Sequence, residues 1–333
     1  MSPAAAFTSP LGATIARYLA LKEALGRRYG VERGVLTHLD RFLSATATDL
    51  TADTFTQWCR TREHMASGVR RNWMRIVRNL CLYRQRTEPS CFVPDAAQFP
   101  ALHQPVCPHI FTADEIVRLW QATQDLQAGS GSPLRRETFR VALVLLYTTG
   151  LRRGELLRLT MADYDPNEHT LLVRESKFHK SRLLPLSGDG AQAVDGLLDV
   201  RRQRGFATGA EQPLLGNQCG GGRPYTGVGF GSTIRALLRT TGIRTAAGRF
   251  PRVHDFRHTF AVHALLRWYQ AGHDVQAKLP LLAAYMGHIS IVSTAYYLRF
   301  IDQLAGCASE RFGQRCGALI SPVPRATGSG GDS

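Results

Sequence analysis

Six polar side chains between residues 152 and 297 are of types that can grip, protonate and attack an oxygen-rich group: Arg152, Lys177, His254, Arg257, His288 and Tyr297. An arginine offers a planar fork of donors that fits a phosphate with two parallel hydrogen bonds. Gly150 lets the chain turn sharply after the apolar run 141–147, so that Arg152 emerges beside a core; Arg152 and Arg153 read equally as surface residues, with Glu155 a helix-start charge. Lys177 stands at the turn edge of a β-prone run, with Lys180 and Arg182 beyond it. A lysine near a substrate oxygen can act as a general acid when cationic neighbours and partial burial lower its pKa from about 10.4; a basic hairpin tip can also merely touch a polyanion. His254 and Arg257 are three apart and share a helix face, which lets imidazole and guanidinium converge on one group. His258 falls on a neighbouring face, as a structural hydrogen-bonding residue, and His-x-x-x-His without the Glu of a zinc protease makes a poor metal site. Tyr297, nine residues after His288, has a phenol of pKa about 10 that attacks only where its surroundings neutralise a phosphate. Otherwise Tyr296 and Tyr297 read as core and surface neighbours on an amphipathic helix.

The elements that must hold these groups are mostly helices. Ile15, Tyr18, Leu19 and Leu21 recur at helical spacing up to a Gly30 stop; Val35, Leu36, Leu39 and Phe42 follow, and Thr51 and Ser67 are candidate N-caps for two more helices. The last of these carries Arg70, Arg71, Arg75 and Arg78, which with Lys180 and Arg182 are the expected nucleic-acid contacts. Five prolines between 89 and 108 suggest an extended linker. A capping box at Thr112 then opens a helix, and Glu137 to Thr149 reads as a buried one. Thr170–Arg174 and Arg182–Leu186 suit a small antiparallel hairpin around Phe178-His179. Helical spacing resumes at 191–202, breaks in the Gly-rich stretch 205–222, and returns at 228–238, 254–269, 279–286 and from 293 onward. The fold class is therefore mainly α with a small antiparallel sheet. The expected organisation is a flexible N-terminus (1–10), a helical domain (11–92), a linker (93–110), a domain holding the six residues (111–320) and a disordered tail (321–333).

Composition narrows the partners. The 333 residues carry a formal charge of +15, and only four of 41 basic residues are lysines (Lys22, Lys177, Lys180 and Lys278). So large an excess suits a polyanion, whose counterions are released on contact, and disfavours acidic metabolites. The longest apolar run, 141–147, is far too short for a membrane span. Met1 to Pro10 lacks a basic region followed by an apolar block, so the chain is expected to be cytosolic. Seven cysteines without a C-x-x-C pair fit reduced thiols rather than a disulfide framework or zinc knuckle. No internal repeat is present.

Taken together, Thr149-Gly150-Leu151-Arg152-x-x-Glu155-Leu156, Lys177 ahead of Arg182-Leu183-Leu184-Pro185-Leu186, His254-x-x-Arg257-His258, and Met286-Gly287-His288 with Tyr297 nine residues on resemble the tyrosine recombinase (phage integrase) family, over about 11–310. The resemblance implies that Tyr297 attacks a DNA phosphodiester to give a 3′-phosphotyrosyl link and a free 5′-hydroxyl. Arg152 and Arg257 would grip the non-bridging oxygens, Lys177 protonate the leaving oxygen, His254 assist proton transfer at the tyrosine and His288 hydrogen-bond the phosphate. It implies neither metal nor nucleotide cofactor, and the acids Asp163, Asp165 and Asp189 do not group like a two-metal site. The implied partner is duplex DNA with recombination sites, clamped also by the helical domain. Four copies, alone or with other recombinases, would assemble on it in a bacterial nucleoid, the segment after Tyr297 docking on a neighbour. Two departures stand out: Phe178-His179 where relatives often have Gly, and a long segment 267–282 that looks like the branch carried by transposable elements and genomic islands. A chromosome-dimer resolvase, a type IB topoisomerase-like enzyme and a DNA-binding protein that has lost its chemistry are the rival readings.

Overall fold

Side-chain caps and glycine turns set most of the helix ends. A computed structural model of the protein describes residues 7–27, 29–101, 107–174, 181–217, 222–288 and 290–300. The chain divides into two units, Met1–Cys107 and Pro108–Ser333.

The first unit consists of α1 (Gly12–Ala24), α2 (Gly30–Thr46), α3 (Ala52–Arg60) and α4 (Ser67–Arg84). Leu11, Ile15, Leu36, Leu39, Trp58, Val77 and Leu80 form its core, and each such buried aliphatic or aromatic side chain contributes about 1.5–3 kcal/mol. Thr51 caps α3 as its sequence suggests, in a capping box closed by Thr54. Three local expectations are corrected. The stop of α1 comes at Ala24, ahead of a left-handed Gly26, and Gly30 is the first residue of α2. Ser67 is the first helical residue of α4, not its cap. Residues 7–10, expected to be flexible, are pinned: the Thr8 and Ser9 amides and the Ser9 hydroxyl donate to the Asp40 carboxylate.

The proline-rich stretch also differs from an extended linker. Phe99 is buried in the core of the first unit, Arg71 donates to the Phe99 and Pro100 carbonyls and Arg78 to the Pro94 carbonyl. Two of the four α4 arginines expected on nucleic acid thus bind the chain's own backbone. Proline carbonyls lack a neighbouring amide that would tie them into a ladder, which leaves them free to accept from a long donor.

The second unit begins with α5 (Ala113–Ala122), opened by the Thr112–Glu115 capping box, and α6 (Arg135–Thr149). After α6 come the short α7 (Arg153–Leu156) and a sheet of β1 (Tyr164–Asp165), β2 (Thr170–Val173) and β3 (Arg182–Pro185). All three strands are antiparallel in that order, with Val173 opposite Arg182. The turn of the β2–β3 hairpin, with Lys177 and Lys180, lies outside the described residues. Strand β1 was not expected, because two residues are too few to show alternation. Then follow α8 (Gly188–Gln203), the small pair β4 (Gly216–Asn217) and β5 (Arg223–Pro224) inside the Gly-rich stretch, and α9 (Gly227–Thr240). The chain continues through α10 (Val253–Gln270), α11 (Val275–Met286), α12 (Val292–Ala295) and a 3₁₀ turn over Tyr296–Phe300. Helix α11 starts four residues before the expected 279, because Asp274 caps it through the Gln276 and Ala277 amides; Pro280 therefore sits inside it.

Helix α6 is buried along Phe139, Ala142, Leu145 and Leu146, and Phe111 stacks on Phe256 at 4.4 Å. A smaller cluster joins Ala261, Leu265, Leu279, Met286 and Tyr297. Among the described residues no helix is long and apolar enough to cross a membrane.

Gly150 ends α6 at φ +62°, and a Cβ on it would stand 2.5 Å from the Phe260 ring. Left-handed strain and overpacking together cost roughly 2–4 kcal/mol. Gly150→Ala is expected to lower the denaturation midpoint of the second unit without changing the slope, as followed by urea titration.

Candidate active site

Five of the six candidate residues lie on elements of the second unit that meet around two helix ends. The left-handed Gly150 and Gly287 close α6 and α11, and the last carbonyls of a helix have no partner within it. At α11 the Gly287 and His288 amides return to Ala284 and Ala283, which leaves the carbonyls of Tyr285, Met286 and Gly287 free. Three arginines take them. Arg182 Nε donates to Tyr285 at 2.8 Å, Arg257 Nη2 to Met286 at 2.6 Å and Arg152 Nη2 to Gly287 at 3.0 Å. Arg257 Nη1 also donates to Gly150 at 2.7 Å, so one guanidinium joins the ends of α6 and α11.

Arg257 is 1% exposed and makes no ion pair with a described carboxylate. Its charge is met by the negative ends of two helices. Burial, with the charge of Arg152 next, lowers its pKa to about 10, so it remains a cation at neutral pH. Arg152 is held differently: Nη1 reaches Glu155 Oε1 at 2.6 Å, while its backbone amide donates to Oε2 at 3.0 Å. Glu155, expected as no more than a helix-start charge, is buried. Burial raises its pKa, but hydrogen bonds and charge from Arg182, then Arg152, more than offset this and hold the carboxyl at about 2.

Arg182 is the clearest correction to the sequence reading. It does not project toward a nucleic acid: Nη2 and Nη1 donate to the two Glu155 oxygens at 2.8 and 3.2 Å, and the third donor goes to Tyr285. The i,i+3 spacing of Arg152 and Glu155 could have signalled one half of this arrangement; nothing local signals Arg182.

Tyr297 is 3% exposed. Its ring stacks on His288 at 6.0 Å and meets the edge of His258 at 5.3 Å. Burial pushes the phenol pKa up, against the opposing pull of Arg257 and Arg152. His288 shares a 2.8 Å hydrogen bond through Nδ1 with the buried Thr294 hydroxyl. Burial and then Arg257 lower the His288 pKa to about 4, leaving a neutral imidazole. His254 and Arg257 share a helix but not an environment: Arg257 is enclosed while His254 is exposed. The His254 ring meets His258 at 4.9 Å. His258, expected to be hydrogen-bonded, has a buried Nδ1 without a partner, and burial followed by His254 lowers its pKa to about 4.

The structure therefore brings Arg152, Arg257, His288 and Tyr297 together, places His254 at the rim, and leaves Lys177 and Lys180 outside what it describes. Beside His254 opens a groove of about 800 Å³ with Arg153, Arg235 and Arg252 on its wall and no acidic side chain. In the first unit Arg75 is exposed and donates to Asn72, and Arg70 lines a separate cleft of about 220 Å³. Among the described residues no three His, Cys, Asp or Glu side chains gather as metal ligands would.

Residues 109–303 match the phage integrase family. Two proteins of Sinorhizobium fredii, each named as an integrase/recombinase, are similar over nearly the whole chain. One is 30% identical over 305 residues, covering 90% of this chain and 96% of its own; the other is 31% identical over 316 residues, covering 92% and 97%. The fold is similar to the integrase of transposon Tn1549, solved in complex with transposon right-end DNA, with a TM-score of 0.61 at 17% identity and coverage of 91% of this chain and 98% of that one.

Acid should weaken the site. His258 and His288 fall from the ordinary 6.5 to about 4, and Glu155 from 4.5 to about 2, so each group binds protons more readily unfolded than folded. Their contribution is complete above pH 6.5, declines as pH falls through about 4 for the histidines, and is lost toward about 2 for Glu155. Thermal melts are expected to fall steadily from pH 6.5 to 4; a melting temperature that rises over that range contradicts these assignments.

Proposed function

The chain belongs to the phage integrase family of tyrosine-type site-specific recombinases, and on that premise we propose that it cuts and rejoins duplex DNA through a 3′-phosphotyrosyl link at Tyr297. The observation that carries this reading is the burial of the Tyr297 phenol against the His258 and His288 rings, within the field of the Arg257 and Arg152 guanidiniums. A phenol is a weak nucleophile until its surroundings stabilise the phenolate and the charge gathering on phosphorus.

In the proposed step the phenolic oxygen bonds to phosphorus as the bond from phosphorus to the 5′-oxygen breaks. Arg152 and Arg257 hold the non-bridging oxygens with charge-assisted hydrogen bonds. His288, neutral and fixed through Nδ1 by Thr294, donates from its other ring nitrogen. The phenolic proton leaves on the side of the His258–His254 ring contacts, and Lys177 gives a proton to the departing oxygen, the role its position in the family motif implies. Attack of that 5′-hydroxyl, or of one from a second strand, reverses the step. The phosphodiester energy stays in the tyrosyl link, and no metal or nucleotide enters the scheme.

The groove with Arg153, Arg235 and Arg252 suits the backbone flanking the cut phosphate, and Arg70 and Arg75 suit a second contact from the first unit. Full-length similarity to proteins named integrase/recombinase, and the fold shared with a transposon integrase, support integration, excision or transposition of a mobile element as the biological outcome. Four protomers on paired sites would complete the exchange.

A nicked duplex built from the DNA flanking the gene should trap a covalent adduct. Tyr297→Phe is expected to abolish it while binding in a gel-shift assay stays within about twofold; an adduct that survives in Tyr297→Phe and disappears in Tyr296→Phe overturns the assignment. Arg152→Lys keeps the charge but loses the fork, and cleavage should drop by about 100-fold or more. Relaxation of supercoiled plasmid lacking any paired site would instead favour the topoisomerase-like activity.

A further inference from the structure

Arg182 has no part in the step just described, yet it touches more of the site's framework than the arginines that do. It stands on β3, where its Cα pairs with Val173, and its side chain is 11% exposed. It donates to both oxygens of Glu155 and to the Tyr285 carbonyl. Its guanidinium also lies against the Cα of Gly287, where a Cβ would come within 2.9 Å of Nη1 and 3.1 Å of Cζ. Those contacts coincide with the supports of Arg152, whose fork rests on Glu155 and on the Gly287 carbonyl.

A buried carboxylate held by two cations divides its attraction between them. Remove one, and the other is drawn fully onto it, because an unpaired buried charge is far costlier than a rearranged side chain. We propose that Arg182 is a positioning residue that neutralises Glu155 and seats Gly287, so that Arg152 keeps donors free for a non-bridging phosphate oxygen. This rests on the recombinase reading above and adds a residue to it. Without Arg182, Arg152 would turn into a full salt bridge with Glu155 and leave the transition-state charge unmet. The left-handed Gly287 then has a second reason to lack a side chain: any Cβ displaces the guanidinium plane.

The test separates Arg182 acting through Arg152 from a general loss of structure. Replacing one non-bridging oxygen of the cut phosphate by a methyl group gives a neutral methylphosphonate, on which an arginine that neutralises charge matters less. Full-length protein is assayed for adduct formation on two nicked duplexes, phosphodiester and methylphosphonate, with gel-shift binding alongside. On the phosphodiester, Arg182→Gln and Arg152→Ala are each expected to lose about 100-fold in cleavage rate with binding within threefold. On the methylphosphonate both should come within about tenfold of the unmutated protein, and Arg182→Lys should lie between. Equal deficits for Arg182→Gln on the two substrates, or no deficit on either, overturn the proposal. Should Arg182→Gln melt below the assay temperature, Arg182→Gln with Glu155→Gln, which leaves no unpaired buried carboxylate, is measured in its place. In that pair, with no carboxylate left to draw Arg152 away, phosphodiester cleavage should lie within about tenfold of the unmutated protein; a 100-fold loss there overturns the proposal. Absence of any adduct with the unmutated protein counts against the recombinase reading itself, so the two failures are distinguishable.

Discussion

A guanidinium cannot be enclosed in a protein interior unless something there replaces water, and around Arg257 that replacement is two helix termini. The α6 end at Gly150 and the α11 end at Met286 each supply a carbonyl that their own helix leaves unused. This requirement fixes much else. Helices α6 and α11 must stop where they do, both must turn through a left-handed glycine, and α10 must start close enough to present Arg257 from its second turn. Tyr297 and His288 then follow from the chain's exit past Gly287, because the residues after that turn fold back onto the same face of α10.

The site so built is cationic and nearly free of compensating acid. Arg152 and Arg182 share one carboxylate, Glu155, which they keep ionised far below the usual range, while Arg257 meets only helix ends. Burial first, with the arginines added at His288 and His254 at His258, keeps His258 and His288 from protonating. Neutral imidazoles beside cationic guanidiniums divide the labour: the arginines carry charge, and each histidine ring offers one hydrogen-bond donor and one acceptor. An anion entering this field relieves the repulsion between Arg152 and Arg257, a repulsion that adds to burial in lowering the Arg257 pKa.

Sequence reasoning found what is local and missed what is tertiary. Capping at Thr51 and Thr112, the end of α6 at Gly150 and the β2–β3 pairing depend on residues within a few positions of each other, and the chain states them openly. Where a long arginine points is decided by acceptors far away. Arg71 and Arg78 turn to backbone carbonyls 16 to 29 residues on, and Arg182 to a carbonyl 103 residues on. His254 and Arg257 show the limit of helix-face arithmetic, since a spacing of three sets the angle between side chains but not their depth. Apolar spacing places the start of α11 at 279, whereas the Asp274 cap lies further back.

The depths of the two phosphate-gripping arginines imply an order of events on the recombinase reading. The Arg152 side chain is 26% exposed, whereas Arg257 is 1% exposed. A phosphate approaching the site therefore meets Arg152 first. Of the five N–H groups on Arg257, two are spent on helix-end carbonyls, which leaves three for a non-bridging oxygen without disturbing the anchors. Helix-end anchors and phosphate therefore need not compete for that guanidinium. What must yield is the burial of Tyr297 itself, which the 3₁₀ turn at Tyr296–Phe300 carries into the cluster of Ala261, Leu265 and Met286. A single short turn thus both shields the phenol and delivers it, which ties exposure of the reactive group to arrival of the phosphate that it attacks.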